Sequence, residues 1–208
     1  MTIINGKQFL NRIDQLGTHV FYHGQRVTGK LSEHKAFKGL LRSVARLYDY
    51  QCLPEKKDIF TWTSETTGEH IGTSYLPPKT QEDLEKRRCA IQEWSKLSLG
   101  MLGRSPDYMN TTLMALGTAA DILREESDTH AENMKKYYEY VRENDLALTH
   151  TFVLPQVNRS KFYMEDPKEI IAARVIDENS DGIIVHGARL LATQGATTDE
   201  ILVFPSGA

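Results

Sequence analysis

Apolar positions in the first fifty residues follow a helical spacing broken by one alternating stretch. Phe9, Leu10, Ile13 and Leu16 predict a helix over 6–16, and HVFYHGQRV alternates around His23-Gly24 as a short hairpin would. Phe37, Leu40, Leu41, Val44, Leu47 and Tyr48 recur at i, i+3, i+4 and i+7, so 34–50 reads as an amphipathic helix with a basic, solvated outer face. Residues 51–79 are polar and punctuated by Pro54, Gly68, Gly72 and Pro77-Pro78, and are expected to form a long surface excursion without regular structure.

Thr80 followed by Gln81, Glu82 and Asp83 has the chemistry of a helix start, with acidic residues at the positive end of the dipole. Leu84, Ile91, Trp94 and Leu97 carry that helix inward-facing to Gly100. Ser105-Pro106-Asp107 starts another, expected to run through Leu113, Leu116 and Ala120 to about Leu123, with serine as cap and proline at the first helical position. A further helix over 129–146 should turn Met134, Tyr137, Tyr138 and Val141 inward.

Beyond Leu146 the period changes. LTHTFVL alternates, AARVID, GIIVHGARLLAT and EILVF keep the β bias, and Asn179-Ser180-Asp181-Gly182 supplies turn chemistry between two of them. The expected class is α+β, with a mainly helical part over 1–147 and a β part over 148–208. Four strands could share one sheet, but its apolar face needs a second layer that these residues do not supply, so the β part reads as incomplete.

Composition narrows the function classes. A formal net charge of -3, from 25 basic and 28 acidic residues spread along the chain, gives no electrostatic footprint for nucleic acid or an anionic membrane. The start MTIINGKQFLNRID has no signal-peptide pattern and no long apolar run follows, so a cytosolic protein is expected. Cys52 and Cys89 have no metal or redox spacing and are expected as free thiols. No HxH or HExxH pair occurs among the histidines, so no metal site is expected. GxSxG, GxxxxGK[ST] and GxGxxG are absent too, which removes nucleophile-elbow hydrolases, P-loop enzymes and Rossmann dinucleotide units.

Two places could carry chemistry. Gly103-Arg104-Ser105-Pro106-Asp107-Tyr108 sets a guanidinium just before a helix start and a phenol in its first turn, which suits an anionic or hydroxylated ligand. On spacing alone an ion-paired arginine and a core tyrosine are the commoner reading of such a pattern. His150 shares a strand face with Leu148, Phe152 and Leu154, where an imidazole could hydrogen-bond a phenol oxygen and take its proton. A satisfied core histidine is the bland alternative.

Taken in order, HVFYHGQRVTG, AFKGLLRSVARLYDYQ, TGEHIGTSYLPPKTQEDLEKRR, GMLGRSPDYMN, LTHTFVLPQ and DGIIVHGARLLATQGATTDEILVFP are similar to one family across nearly the whole chain. The chain resembles the N-terminal portion of the oxygenase component of 4-hydroxyphenylacetate 3-monooxygenase and its phenol-hydroxylating relatives. The resemblance implies an oxygenase in which reduced FAD (FADH2), supplied by a separate NADH:flavin reductase, reacts with O2 and delivers oxygen ortho to a phenol hydroxyl. It implies a homo-oligomer, and a β part that begins an antiparallel barrel-like domain. The family's C-terminal helical bundle is absent from these 208 residues.

The same resemblance gives Arg104, Tyr108 and His150 the phenolic oxygen, with Ser206 at the start of a substrate-covering loop. It assigns the flavin to His150, Thr151, Phe152, Gln156, Val157, Asn158 and Arg159, with Thr193 approaching from a later strand. Leu154 stands where members commonly carry a polar residue. A 4-hydroxybutyryl-CoA dehydratase branch binds an iron–sulfur cluster through cysteines around the helix that here carries Arg104 and Tyr108, and this sequence has none there. The alternative to a catalytic role is a shortened family member that acts only in protein interaction.

Overall fold

The computed structural model describes residues 2–155 and 171–205. Within them the chain divides into two units: residues up to Leu148 together with Ala196–Glu200, and Thr149–Gly195 with the residues from Ile201 onward.

In the first unit α1 (Gly6–Asp14) opens on a capping box. The Asn5 side chain accepts from the Gln8 amide and the Gln8 side chain accepts from the Asn5 amide, satisfying two backbone donors that helix ends leave open. Strands β1 (Phe21–Tyr22) and β2 (Gln25–Arg26) pair antiparallel around His23 (φ 50°) and Gly24 (φ 76°), the left-handed pair that a two-residue hairpin turn needs. Helix α2 begins at Lys38, later than expected, and runs to Gln51, burying Leu41, Val44, Ala45, Leu47 and Tyr48. Phe9 and Tyr48 stack with ring centroids 4.8 Å apart, so α1 and α2 share one core.

The stretch 51–79 is not an unstructured excursion. It contains a 3-10 turn at Pro54–Lys56, α3 (Lys57–Phe60), the hairpin β3 (Thr61–Thr63) with β4 (His70–Gly72), and a 3-10 turn at Thr73–Tyr75. Phe60, Ile71 and Tyr75 are fully buried here, and Thr61, Ser64 and Thr73 are buried with them. Their hydroxyls donate to the Lys57 carbonyl, the Glu143 carboxylate and the Ile59 carbonyl respectively, which is what makes polar burial tolerable.

Helix α4 (Gln81–Ser98) starts on the expected Thr80 cap, in a reciprocal box with Asp83. Its buried face differs from the expected one. Arg87, Ala90 and Trp94 point inward, whereas Leu84 and Ile91 are 57% and 40% exposed. The cause is Arg87, whose guanidinium donates to the carbonyls of Thr73 (3.2 Å), Ser74 (2.8 Å) and Leu76 (2.9 Å) and to Thr111 Oγ1 (2.8 Å). A buried cation satisfied on four oxygens turns the helix toward the 73–76 turn rather than toward its own leucine.

Helix α5 (Asp107–Thr118) ends before the expected Leu123, and a 3-10 stretch, Ala120–Glu125, follows. Helix α6 (Asp128–Asn144) packs on α5 at Gly117, where a Cβ would fall 2.6 Å from Tyr138 Cγ. Leu113, Met114, Tyr138, Val141, Leu146 and Tyr75 form the core between them.

Strand β5 (Leu148–Thr151) pairs with β8 (Glu200–Val203), and in the second unit β6 (Arg174–Asn179) pairs with β7 (Gly182–His186) across the expected Asn179–Gly182 turn. The four strands do not share one sheet. Among the described residues the strands form two-stranded ladders and no closed barrel. Among the described residues nothing covers either face of the β6–β7 hairpin, and Val175, Ile176, Ile183, Ile184 and Val185 are exposed.

Candidate functional site

One candidate site, in the first unit, is the entry to α5. Helix α4 stops with Leu99 (φ 52°) and Gly100 (φ 70°) in the left-handed region, and the chain turns through Gly103–Pro106 into α5. Ser105 does not cap the helix as expected. Its hydroxyl donates instead to Asp107 Oδ1 (2.6 Å), and Pro106 takes the cap position, so the helix starts one residue later than expected. Met109 and Asn110 are buried just behind, Asn110 Nδ2 donating to Ser74 Oγ at 2.9 Å. This anchorage, with the Arg87 bond to Thr111, fixes the first turn of the helix.

On that fixed turn the Arg104 guanidinium lies over the Tyr108 ring, 4.5 Å from its centroid, with both residues half-buried. The stack holds a permanent cation and a phenolic hydroxyl side by side at the positive end of a helix. Asp107 is the one carboxylate of this turn, and burial pushes its carboxyl up against the opposing pull of Ser105, its own backbone amide and Arg87. The arrangement suits an anion or a hydroxyl that ionises.

A separate candidate site, in the second unit, is on β5. Its residues alternate, with Thr149 and Thr151 buried and Leu148 and His150 half-buried on the opposite side. The His150 imidazole stacks on Phe152 with centroids 5.3 Å apart and planes 6° from parallel, and meets Phe204 edge-on at 6.1 Å. Phe152 is 48% exposed, so a flat aromatic surface reaches the outside of the unit beside an imidazole. The Thr151 hydroxyl turns the other way and donates to the Leu190 carbonyl (2.6 Å), while the Thr193 carbonyl accepts from the Thr149 hydroxyl (2.6 Å). The Thr193 residue itself is exposed.

Arg104 and Tyr108 are thus brought together in the first unit, and His150, Thr151, Phe152 and Thr193 belong to the second. Gln156, Val157, Asn158, Arg159 and Ser206 lie outside the described residues. Sequence reading missed Arg189. Its Nη1 donates to the Phe152 carbonyl at 3.5 Å, and among the described residues its buried Nε has no hydrogen-bond partner. A cation with an unmet buried donor beside the aromatic surface fits an anionic cofactor. The signal that could have found it is an arginine amid the apolar run GIIVHGARLLAT.

An apolar cleft of about 290 Å³ lies between α2 and the end of α4, lined by Leu40, Leu47, Leu97, Leu99 and Leu102 among others, and takes in none of the predicted site residues. Among the described residues no group of histidine, cysteine and carboxylate side chains could hold a metal ion, and no helix is long and apolar enough to cross a membrane. Cys52 and Cys89 are unpaired.

Residues 5–208 match the family model described as 4-hydroxyphenylacetate 3-hydroxylase N terminal. The chain is 45% identical over 204 residues to a probable 4-hydroxyphenylacetate 3-monooxygenase of Bacillus subtilis (strain 168), a match covering 98% of this chain and 42% of the relative. It is 46% identical to the 4-hydroxyphenylacetate 3-monooxygenase oxygenase component of Geobacillus sp. (strain PA-9), over 97% of this chain and 40% of the relative. A crystal structure of such an oxygenase component, complexed with FAD and 4-hydroxyphenylacetate, superposes with a TM-score of 0.86 at 38% identity, covering 97% of this chain and 41% of that one. The chain therefore spans about two-fifths of the length of these relatives.

Proposed function

The chain belongs to the 4-hydroxyphenylacetate 3-hydroxylase family, and from that premise we propose that it forms the N-terminal part of the oxygenase component of a two-component, flavin-dependent monooxygenase. Its substrate is a 4-substituted phenol such as 4-hydroxyphenylacetate, hydroxylated ortho to the existing hydroxyl. The observation that carries the reading is the Arg104–Tyr108 stack at the start of α5, a cation and a hydroxyl donor held rigidly at a positive helix end.

A phenol with an ordinary pKa of about 10 is a stronger carbon nucleophile as its anion, and a fixed cation within a few ångströms favours that anion. Arg104 supplies the charge, and the Tyr108 hydroxyl donates to the phenolic oxygen. His150 accepts the proton as the phenol ionises. Nothing in this step needs a metal.

FAD in its reduced form is the cofactor. His150, Phe152 and Thr193 would hold it, with Arg189 offering a cation and Gln156, Val157, Asn158 and Arg159 contributing from outside the described residues. When bound it supplies the activated oxygen that the phenol captures. Thr151 turns its hydroxyl inward, so its part is to place the neighbouring segment. A separate NADH:flavin reductase delivers the reduced flavin, O2 is the second substrate, and the working form is a cytoplasmic homo-oligomer. The division into a helical part over 1–147 and a β part over 148–208 belongs to the same proposal. So does the reading of the second unit's ladders as the opening of an antiparallel barrel-like domain, with the helical bundle outside these residues.

The test is a coupled assay. The protein is mixed anaerobically with reduced FAD, then with O2 and 4-hydroxyphenylacetate, and the catechol is quantified against oxygen consumed. Arg104→Ala is expected to lower catechol formation about 100-fold, the scale of losing a charge-stabilising donor, with the circular dichroism spectrum unchanged. Equal catechol yield from the variant would overturn the assignment.

A further inference from the structure

The segment 190–195 in the second unit is shaped in a way that its own residues do not favour. Leu191 (φ 61°) and Gln194 (φ 64°) both occupy the left-handed region, where a side chain other than glycine crowds the following carbonyl. Such a conformation persists only when the surroundings impose it. Thr193 lies between these two residues and is exposed.

The surroundings that impose it are on β5. Thr149 and Thr151 are two residues apart on a strand, so both side chains leave the same face, and they are 2% and 4% exposed. Each hydroxyl donates to one foot of the arch, Thr149 Oγ1 to the Thr193 carbonyl and Thr151 Oγ1 to the Leu190 carbonyl, both at 2.6 Å. The Leu190 amide donates to the Val153 carbonyl at 2.9 Å, and the Gly195 amide closes the far side on the Ala192 carbonyl at 2.8 Å. The two threonine bonds together reach carbonyls on both sides of Leu191.

We infer that Thr149 and Thr151 are positioning residues for the flavin, acting through the 190–195 arch: their buried hydroxyls hold Leu190 and Thr193 so that the arch meets the cofactor preformed. The inference rests on the reading of the second unit as the flavin-binding part, and it moves Thr151 from direct contact to support. Replacement by serine keeps each donor. Replacement by valine keeps the shape and removes it.

The test measures FAD binding by quenching of flavin fluorescence, together with hydrogen exchange of the 190–195 amides and the thermal midpoint. The Thr149→Val/Thr151→Val double variant is expected to bind FAD about tenfold more weakly and to exchange the arch amides faster, while the single Thr149→Ser and Thr151→Ser variants match the unsubstituted protein. If valine lowers the thermal midpoint, the serine variants still decide, since a support role requires them to bind normally. Tight binding by the valine variant, with the unsubstituted protein also binding, overturns this inference alone. If the unsubstituted protein is folded and binds no flavin, the underlying reading fails and the inference fails with it.

Discussion

Replacing Arg87 with methionine removes a cation that is 7% exposed while leaving an apolar stem of similar length. Its guanidinium satisfies the Ser74 and Leu76 carbonyls at 2.8 and 2.9 Å and ties α5 to the same turn through Thr111 Oγ1. The Thr73 carbonyl keeps a second donor, the Leu76 amide at 3.0 Å, so the substitution orphans two carbonyls. Each buried acceptor left without a partner costs about 1–3 kcal/mol. Relief from desolvating the guanidinium, which burial already pushes toward losing its proton, offsets part of that. The net loss is therefore about 3 kcal/mol, or roughly 6–12 °C in melting temperature for a chain of this size. Denaturant titration followed by circular dichroism measures it. Because α5 also carries Tyr108, on which Arg104 stacks from the preceding turn, binding of 4-hydroxyphenylacetate should weaken in the variant even well below its melting temperature. A loss under about 1 kcal/mol with unchanged phenol binding would refute the view that this arginine organises the turn and the helix.

Gly117→Ala places a methyl carbon 2.6 Å from Tyr138 Cγ, so it should destabilise by about 1–3 kcal/mol despite alanine's better helix propensity; denaturant midpoints measure the loss. Glu93 accepts from Lys56 (2.5 Å), Lys96 (2.6 Å) and Tyr50 (2.7 Å), and these hydrogen bonds, that of Lys56 first, hold its carboxyl down at about 2. A depressed carboxyl contributes stability above its unfolded value of about 4.3, and that contribution is lost as pH falls from there through about 2. Glu93→Gln should therefore lose less stability than the unsubstituted protein between pH 6 and pH 2.5, as read from thermal midpoints.

Some of this was legible along the chain and some could not be. Thr80 and Asp83 announce α4 because capping chemistry is local, and Asn179–Gly182 announces its hairpin for the same reason. The face of α4 was not legible, because a charged side chain such as Arg87 is normally assigned to solvent and only the carbonyls of a turn some twelve residues away reverse that. The elements inside 51–79 escaped because strands of three residues carry too few alternations to register, and Thr61 and Thr73 hide burial behind polar identity. Arg104 and Tyr108 were visible as a pair, since the turn that stacks them is five residues long. The partners of the Thr149 and Thr151 hydroxyls lie about forty residues further on, which no local pattern reveals.

The central claim is that these residues form the flavin-binding and phenol-binding part of an oxygenase, and anaerobic titration with reduced FAD tests it most directly. The account predicts saturable binding to the folded protein, weakened by His150→Ala and Arg189→Ala and unaffected by Leu84→Lys on the exposed side of α4. A folded protein that shows no saturable binding, or binds equally well with His150 and Arg189 both replaced, would contradict it.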